Sequence, residues 1–104
     1  MSEPVADPGA DRAFNELLEL VGRRWTLRIL WELRDGRRSF NELRRRAGGM
    51  SQSVLVTRLT ELFGAGLVAD TAGGYELTPL GTAMLPDLER LRSYAVQWSR
   101  AVGR

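Results

Sequence analysis

Apolar residues recur at intervals of three and four along most of the chain, which is the spacing of helices that bury one face. The pattern is simplest at Leu55, Leu59 and Leu62, which stand at i, i+4 and i+7 and form one stripe. Ser51 precedes this stripe, and serine is a favourable N-cap because its hydroxyl accepts a hydrogen bond from a free backbone N–H. The pattern predicts a helix after Ser51 with a single buried edge.

Another helix is predicted a few residues upstream. Ser39 and Glu42 have the S-x-x-E spacing of a capping box, so this helix should begin at Phe40. Gly48 and Gly49 should end it, because glycine adopts positive φ values freely at a helix C-terminus. Two short helices joined by a tight glycine turn are the plan of a helix-turn-helix, whose second helix enters the major groove of DNA.

Two more helices are predicted ahead of this unit. The first covers residues 11–21, with Asp11 as a cap and Gly22 as its end. The second covers residues 24–34 and is closed by the Asp-Gly pair at 35–36. Both have apolar residues at helical spacing, so each should pack one face against the rest of the domain.

The segment after the helix-turn-helix has the pattern of a β-hairpin. A strand is predicted at residues 66–68, and Gly73-Gly74 separates it from the alternating Tyr75 and Leu77. A hairpin directly after the second helix of such a motif is a wing. The predicted fold is therefore mainly α with a small β-hairpin (α+β), a winged helix-turn-helix with N- and C-terminal dimerisation helices.

A long helix is predicted to follow the wing, over about residues 79–102. Thr78 is its cap, and Pro79 takes the first helical position, where the missing N–H does no harm. Pro86 lies seven residues inside the helix and removes a backbone hydrogen bond, so a kink or a split is expected there.

A second pattern overlies this last helix. Six residues follow alternating steps of four and three, the seam of a two-stranded coiled coil: Met84, Leu88, Leu91, Ala95, Trp98 and Val102. The seam packs either within its own chain or against a second copy. A helix of about 25 residues is about 37 Å long, longer than so small a core covers. We therefore expect a homodimer interface that also includes Phe14, Leu17 and Leu18 of the first helix.

The residue types that are missing exclude several chemistries. The chain contains no Cys and no His, so zinc fingers, thiol switches and histidine acid–base catalysis are excluded. All fifteen basic residues are Arg, which also excludes Schiff-base and P-loop lysine chemistry. We therefore expect no catalytic residues, no metal and no cofactor, and we favour a binding protein over an enzyme.

The length of 104 residues suits one domain. Residues 1–10 have two prolines and little that could pack, so they are predicted to be a disordered lead to a domain at 11–104. Apolar runs stay well below the roughly 18 residues of a membrane span, and the N-terminus lacks the pattern of a signal peptide. We expect a cytoplasmic protein that contacts no membrane.

Charge is distributed unevenly, although the net value is only +2. Residues 1–22 carry one Arg and five acidic residues, a balance of −4, and residues 59–104 carry four Arg and five acidic residues, a balance of −1. Residues 23–58 carry ten Arg and three acidic residues, a balance of +7. The basic segment coincides with the helix-turn-helix and the helix before it, as expected of a surface that binds DNA phosphates.

The buried stripe decides which residues of the second motif helix face outward. At about 100° per residue, Ser53 and Thr57 point away from the leucines, and Gln52 stands at the end that reaches base edges. Glutamine can bond adenine through two atoms, and threonine offers a hydroxyl or a methyl group. The residues predicted to read bases are Gln52, Ser53, Val56, Thr57 and Arg58.

Phosphate contacts are predicted from arginines and from helix starts. Such contacts supply affinity without sequence information, and the free N–H groups at a helix start also favour phosphate. The predicted residues are Arg23, Arg24, Ser39, Arg44, Arg45, Arg46 and Ser51. Because three consecutive arginines cover most of a helix circumference, about two of residues 44–46 should face DNA.

The aromatic residues have two interpretations. Trp25 and Phe40 are predicted to lie in the core. Tyr94 and Trp98 either pack in the ordinary way, which is the favoured interpretation, or line a pocket for a small-molecule effector near the dimer interface. The residues identify no effector.

Several motifs together resemble HxlR-type winged helix regulators of bacteria. They are GRRWTLRIL (22–30), DGRRSFNELRR (35–45), the leucine-striped helix after Ser51, GLV (66–68) and LTPLG (77–81). They occur in the family's order and spacing, and the resemblance runs from about residue 12 to residue 98. It implies a homodimeric, sequence-specific transcriptional regulator that binds double-stranded DNA at a near-palindromic operator. We expect a repressor.

Two features depart from that family. Several members sense oxidants or quinones through a Cys at a position that falls near Arg12 here, and without any Cys this mechanism cannot operate. The family's wing usually carries basic residues, whereas residues 69–76 contain two acidic residues and no Arg, which argues against a minor-groove contact. The acidic wing favours the alternative function, a winged-helix module for protein–protein interaction with weak or no DNA binding.

Overall fold

The computed structural model of the protein describes residues 8–104 and has the winged helix-turn-helix fold that the sequence predicts. The elements along the chain are α1 (Pro8–Val21), α2 (Thr26–Glu32), α3 (Phe40–Arg46), α4 (Gln52–Gly64), β1 (Val68–Thr71), β2 (Gly74–Leu77), α5 (Pro79–Thr82) and α6 (Leu85–Ala101). Across these residues, no helix is both long enough and apolar enough to span a bilayer.

The core lies between α2, α3 and α4, and each of these helices contributes one apolar face. The most deeply buried apolar side chains are Ile29, Leu30, Leu33, Leu43, Leu55 and Leu62. Leu59 is also buried, so the predicted leucine stripe of α4 is confirmed. Burying a leucine contributes roughly 1.5–3 kcal/mol, and this stripe therefore fixes which side of α4 is left for function.

The glycine turn between α3 and α4 forms as predicted. Gly48 has φ 105° and Gly49 has φ 76°, values that other residues rarely adopt. A Cβ atom at Gly48 would also lie 3.5 Å from the ring of Trp25, which packs beside the turn. Trp25 and Phe40 are both half-buried against the core, in keeping with their predicted packing role.

The wing is an antiparallel hairpin that a third segment extends. Val68 pairs with Leu77 and Thr71 with Gly74, leaving a two-residue loop at 72–73. The backbone of Arg38 forms a bridge to the middle of β2, donating to the carbonyl of Tyr75 at 3.0 Å and accepting from its N–H at 2.8 Å. The hairpin is thereby attached to the connection between α2 and α3.

The ends of α1 and α2 differ from the prediction. Helix α1 begins at Pro8, so residues 8–10 are helical rather than part of a disordered lead, and Asp11 lies in the first turn instead of capping it. Proline is tolerated there because the first N–H groups of a helix have no partner. The rest of the predicted lead, residues 1–7, lies outside the described residues. Helix α2 begins at Thr26, because Trp25 has φ 82° and cannot continue a right-handed helix.

The C-terminal helix is split, as the proline predicted. The break falls at Ala83 and Met84, and Pro86 then lies in the first turn of α6. The N-terminal part of α6 packs on the core, and this corrects part of the predicted dimer seam. Leu88 is only 7% exposed and Met84 is half-buried, because both contact residues of their own chain.

Candidate nucleic-acid interface

Helix α3 starts from the capping box that the sequence predicts. The N–H of Glu42 donates to the Ser39 hydroxyl oxygen at 3.2 Å, and the N–H of Ser39 donates to the Glu42 carboxylate at 3.1 Å. The hydrogen bond from the Ser39 backbone, with help from the positive charge of Arg38 and Arg45, holds the pKa of the Glu42 carboxyl below its ordinary value. The Ser39 hydroxyl also lowers this pKa by hydrogen bonding to the Glu42 carboxylate, so its proton is used within the box.

Helix α4 starts from a second serine cap. The N–H of Val54 donates to the Ser51 hydroxyl oxygen at 3.2 Å, and the same hydroxyl lies within hydrogen-bond distance of the Ser53 hydroxyl, at 3.4 Å. The Arg44 guanidinium donates to the carbonyl of Met50 at 3.1 Å and so closes the turn that leads into α4. Arg44 is half-buried, and part of its hydrogen-bonding capacity is used within the motif.

Four of the five predicted base-reading residues share the exposed face of α4. Gln52, Ser53, Val56 and Thr57 are all exposed. Ser53 and Thr57 lie opposite the buried leucine stripe, Val56 lies to one side of it, and Gln52 is the first residue of the helix. The Thr57 hydroxyl already donates to the Ser53 carbonyl at 2.9 Å. A base could therefore meet its methyl group or its oxygen lone pairs, but not a free hydroxyl proton.

The structure separates Arg58 from this set. Its side chain is only 18% exposed. Its guanidinium donates to the Arg24 carbonyl at 2.9 Å and pairs with Glu61 at 2.5 Å. The same Glu61 carboxylate pairs with Arg23 at 2.9 Å, so these residues connect α4 to the segment between α1 and α2. Arg24 itself is exposed, with its guanidinium 5.0 Å from the Trp25 ring centre.

The three consecutive arginines at the end of α3 have different surroundings. Arg45 is exposed and forms no ion pair within 4 Å among the described residues. Arg46 instead pairs with Glu32 of α2 at 3.2 Å, and Arg28 pairs with the other oxygen of that carboxylate at 2.9 Å. Glu32 is 5% exposed, so two guanidinium groups neutralise a buried charge. Sequence reasoning missed this pair because nothing in local spacing joins residues 14 positions apart.

The wing acquires a basic residue from outside its own strands. Arg37, in the connection between α2 and α3, donates from Nη1 to the carbonyl of Ala72 at the hairpin loop. Arg37 is exposed, whereas the charged residues of the wing strands themselves, Asp70 and Glu76, are both acidic. Composition of residues 69–76 therefore gave an incomplete account of the charge at the wing.

Two apolar faces lie away from the helix-turn-helix. Helix α1 buries no residue fully, and Phe14, Leu17 and Leu18 are between 40% and 59% exposed. The exposed seam residues are Leu91, Ala95 and Trp98 on α6 and Val102 directly after it. Tyr94 is also exposed, and Trp98 lies beside the Arg104 guanidinium. Large exposed apolar residues grouped on two helices are typical of a protein interface.

Comparison with known proteins agrees with this architecture. The model of the HxlR-like helix-turn-helix family matches residues 20–102. The chain belongs to the HxlR-like helix-turn-helix family. It is therefore a DNA-binding regulator of transcription with a winged helix-turn-helix domain, and the family resemblance inferred from the motifs is confirmed.

Individual relatives cover most of the chain. The uncharacterized HTH-type transcriptional regulator YvaP of Bacillus subtilis (strain 168) is 28% identical over 92 residues, which are 82% of this chain and 85% of YvaP. Quinone-bound YodB from B. subtilis is similar in structure with a TM-score of 0.77 and 30% identity, over 83% of this chain and 98% of YodB. A possible HxlR family transcriptional factor from Thermoplasma volcanium GSS1 has a TM-score of 0.75 and 28% identity, over 95% and 87% of the two chains.

Proposed function

We propose that the protein is a homodimeric repressor that acts in the cytoplasm and reads a near-palindromic operator with α4. The observation that carries this proposal is the exposed N-terminal face of α4. Gln52, Ser53, Val56 and Thr57 stand there on a helix whose opposite side is fully packed, and the N-terminal end of such a helix is the part that reaches base edges.

Phosphate binding is assigned to the residues around this face that keep free donors. Arg24 and Arg45 are exposed, and Ser39 and Ser51 cap the starts of α3 and α4, where free backbone N–H groups favour phosphate. Arg23, Arg44 and Arg46 contribute charge while also holding the motif together. Arg58 belongs with this second group, as a residue that positions α4 rather than one that reads a base.

The dimer is assigned to α1 and the C-terminal part of α6. Their exposed apolar faces need a cover, and a second copy of the chain supplies the same two faces about a two-fold axis. A two-fold pair of α4 helices matches an operator with two similar half-sites. Repression is proposed as the outcome of binding, since a dimer that occupied a promoter would block it.

Sequence enrichment from a random duplex library tests this function without knowledge of the target. Wild-type protein should enrich a near-palindrome whose half-site centres are about one helical turn, or a small multiple of it, apart. Binding should weaken steeply with salt, because phosphate contacts release counterions. Enrichment of no motif, with weak and salt-insensitive binding, would instead favour the protein–protein module.

Thiol-independent regulation is part of the proposal. YodB has been solved with bound quinone and after diamide treatment. This chain has no cysteine, so brief treatment with diamide should leave its affinity for the enriched duplex unchanged. The fluorescence anisotropy of a labelled duplex measures this, and rapid release of DNA by diamide would contradict it.

A further inference from the structure

We infer that Arg37 is the minor-groove contact of the wing, although it lies outside the wing in sequence. The inference rests on the proposed DNA binding and adds a specificity-determining residue to it. The strands β1 and β2 contain no basic residue, and the connection between α2 and α3 provides one.

Backbone pairing brings Arg37 to the wing. The neighbouring residue, Arg38, exchanges two backbone hydrogen bonds with Tyr75 in β2, at 3.0 and 2.8 Å. A Cβ at Gly74 would lie 2.5 Å from the Arg38 carbonyl oxygen and 3.0 Å from Cγ of Arg37. The α2–α3 connection therefore passes directly over Gly74, a path that only glycine permits.

The side chain then follows the hairpin to its loop. Nη1 of Arg37 donates to the Ala72 carbonyl, and a Cβ at Gly73 would lie 3.9 Å from the same nitrogen. This bond uses one of the five N–H donors of the guanidinium. Arg37 forms no ion pair within 4 Å among residues 8–104, and it is exposed, so its charge is available to a ligand.

A guanidinium held at a hairpin tip suits the minor groove. A·T-rich DNA has a narrow minor groove with enhanced negative potential, which attracts inserted arginines. Asp70 and Glu76 on the wing strands repel phosphate, so the arginine is the part of the wing that DNA would accept. The preferred sequence is therefore an A·T-rich flank outside each half-site.

The test compares wild type with Arg37→Gln on the duplex enriched by wild type. Glutamine removes the charge and keeps a polar side chain, and its amide nitrogen ends two bonds short of the position of Nη1, so the thermal unfolding of this variant is measured as well. Exchanging the flanking A·T pairs for G·C should weaken wild-type binding by about tenfold and leave Arg37→Gln binding unchanged. Exchanging them for inosine·C, which lacks the minor-groove amino group of guanine, should restore wild-type affinity.

Controls separate the charge from the fold and from simple phosphate contact. Arg90 is an exposed arginine on α6, and Arg90→Ala should behave as wild type. The thermal unfolding of Arg37→Ala should show whether the Arg37 side chain stabilises the wing. If Arg37→Gln only lowers the salt slope and keeps the flank preference, Arg37 binds phosphate and the inference is wrong. If wild type enriches a motif but shows no flank preference, the inference fails and the proposed function stands. If wild type enriches no motif, both fail.

Discussion

The exposed face of α4 and the apolar faces of α1 and α6 differ in whether a single chain covers their apolar residues. The α4 face is complete within one chain, because its leucines are buried, its N-terminus is capped and its exposed residues, apart from Val56, are polar. The faces of α1 and the C-terminal part of α6 need a packing partner, because their apolar residues remain exposed in one chain. A polar exposed face suits a ligand as hydrated as DNA, whereas an apolar one suits a second protein surface.

Leu91→Arg is expected to have the largest effect, loss of the proposed dimer. Leu91 is half exposed in one chain, so an arginine there stays hydrated in the monomer but would be buried and unpaired at a two-fold interface. Sedimentation velocity should show a monomer that binds operator DNA much more weakly. Ser93→Arg, about 200° round the same helix, should remain dimeric. A dimeric Leu91→Arg protein would remove α6 from the interface.

On the exposed face of α4, Gln52→Ala should reduce discrimination between operator and random DNA. Each lost base contact costs roughly 1–3 kcal/mol, and a symmetric dimer loses two. Thr60→Ala is the control, because Thr60 is exposed on α4 but lies two turns beyond the N-terminal end. Competition titrations against random duplex measure the effect, and full discrimination by Gln52→Ala would show that α4 does not read the operator in this register.

Neighbouring arginines of α3 should give opposite results. Arg46→Ala leaves the buried Glu32 with one partner, so the free energy of unfolding should fall by about 1–3 kcal/mol, towards the lower end because Arg46 is partly exposed. Arg45→Ala should change stability by less than about 0.5 kcal/mol but lower the log–log salt slope of DNA binding by about one unit per chain. Urea unfolding and salt titration of both variants test this. The reverse assignment of effects would contradict the ion pair.

Glu42→Gln should have the smallest effect, visible only in the pH dependence of stability. The pKa of Glu42 is lowered by folding, so the ionised capping box stabilises fully above the ordinary glutamate pKa of about 4.3 and loses this contribution as the pH falls through the lowered pKa. Glutamine keeps the reciprocal bond without titrating. Lowering the pH from 7 to 3 should therefore reduce the melting temperature of wild type more than that of the variant. A constant difference would show that Glu42 does not couple to folding.

Local signals predicted the secondary structure because each acts over a few residues. The Ser39 and Ser51 caps, the Gly48-Gly49 turn and the loop at 72–73 appear where the sequence indicates them. Helix ends were less accurate at Pro8 and at Trp25. A left-handed tryptophan is a costly conformation that its packing beside Gly48 compensates, and no local pattern reveals such a contact.

Side-chain partners across the fold could not be predicted. Residues 44–46 are three identical residues in sequence, and only the position of Glu32 on α2 distinguishes the last of them. Arg37 reaches a carbonyl 35 residues away, and Leu88 is buried by the path of α6 over the core. Residue type predicted which groups could bind DNA, but tertiary packing decides which of them remain available.

Glu61 links helix α4 to the segment that follows α1. Its carboxylate binds Arg58 from its own helix and Arg23 from the segment that follows α1, while Arg58 also holds the Arg24 carbonyl. The orientation of α4 is thus coupled to the end of the helix proposed for dimerisation. In a two-fold assembly the distance between the two α4 helices would then vary little, and DNA sites would be selected by the separation of their half-sites as strictly as by their bases.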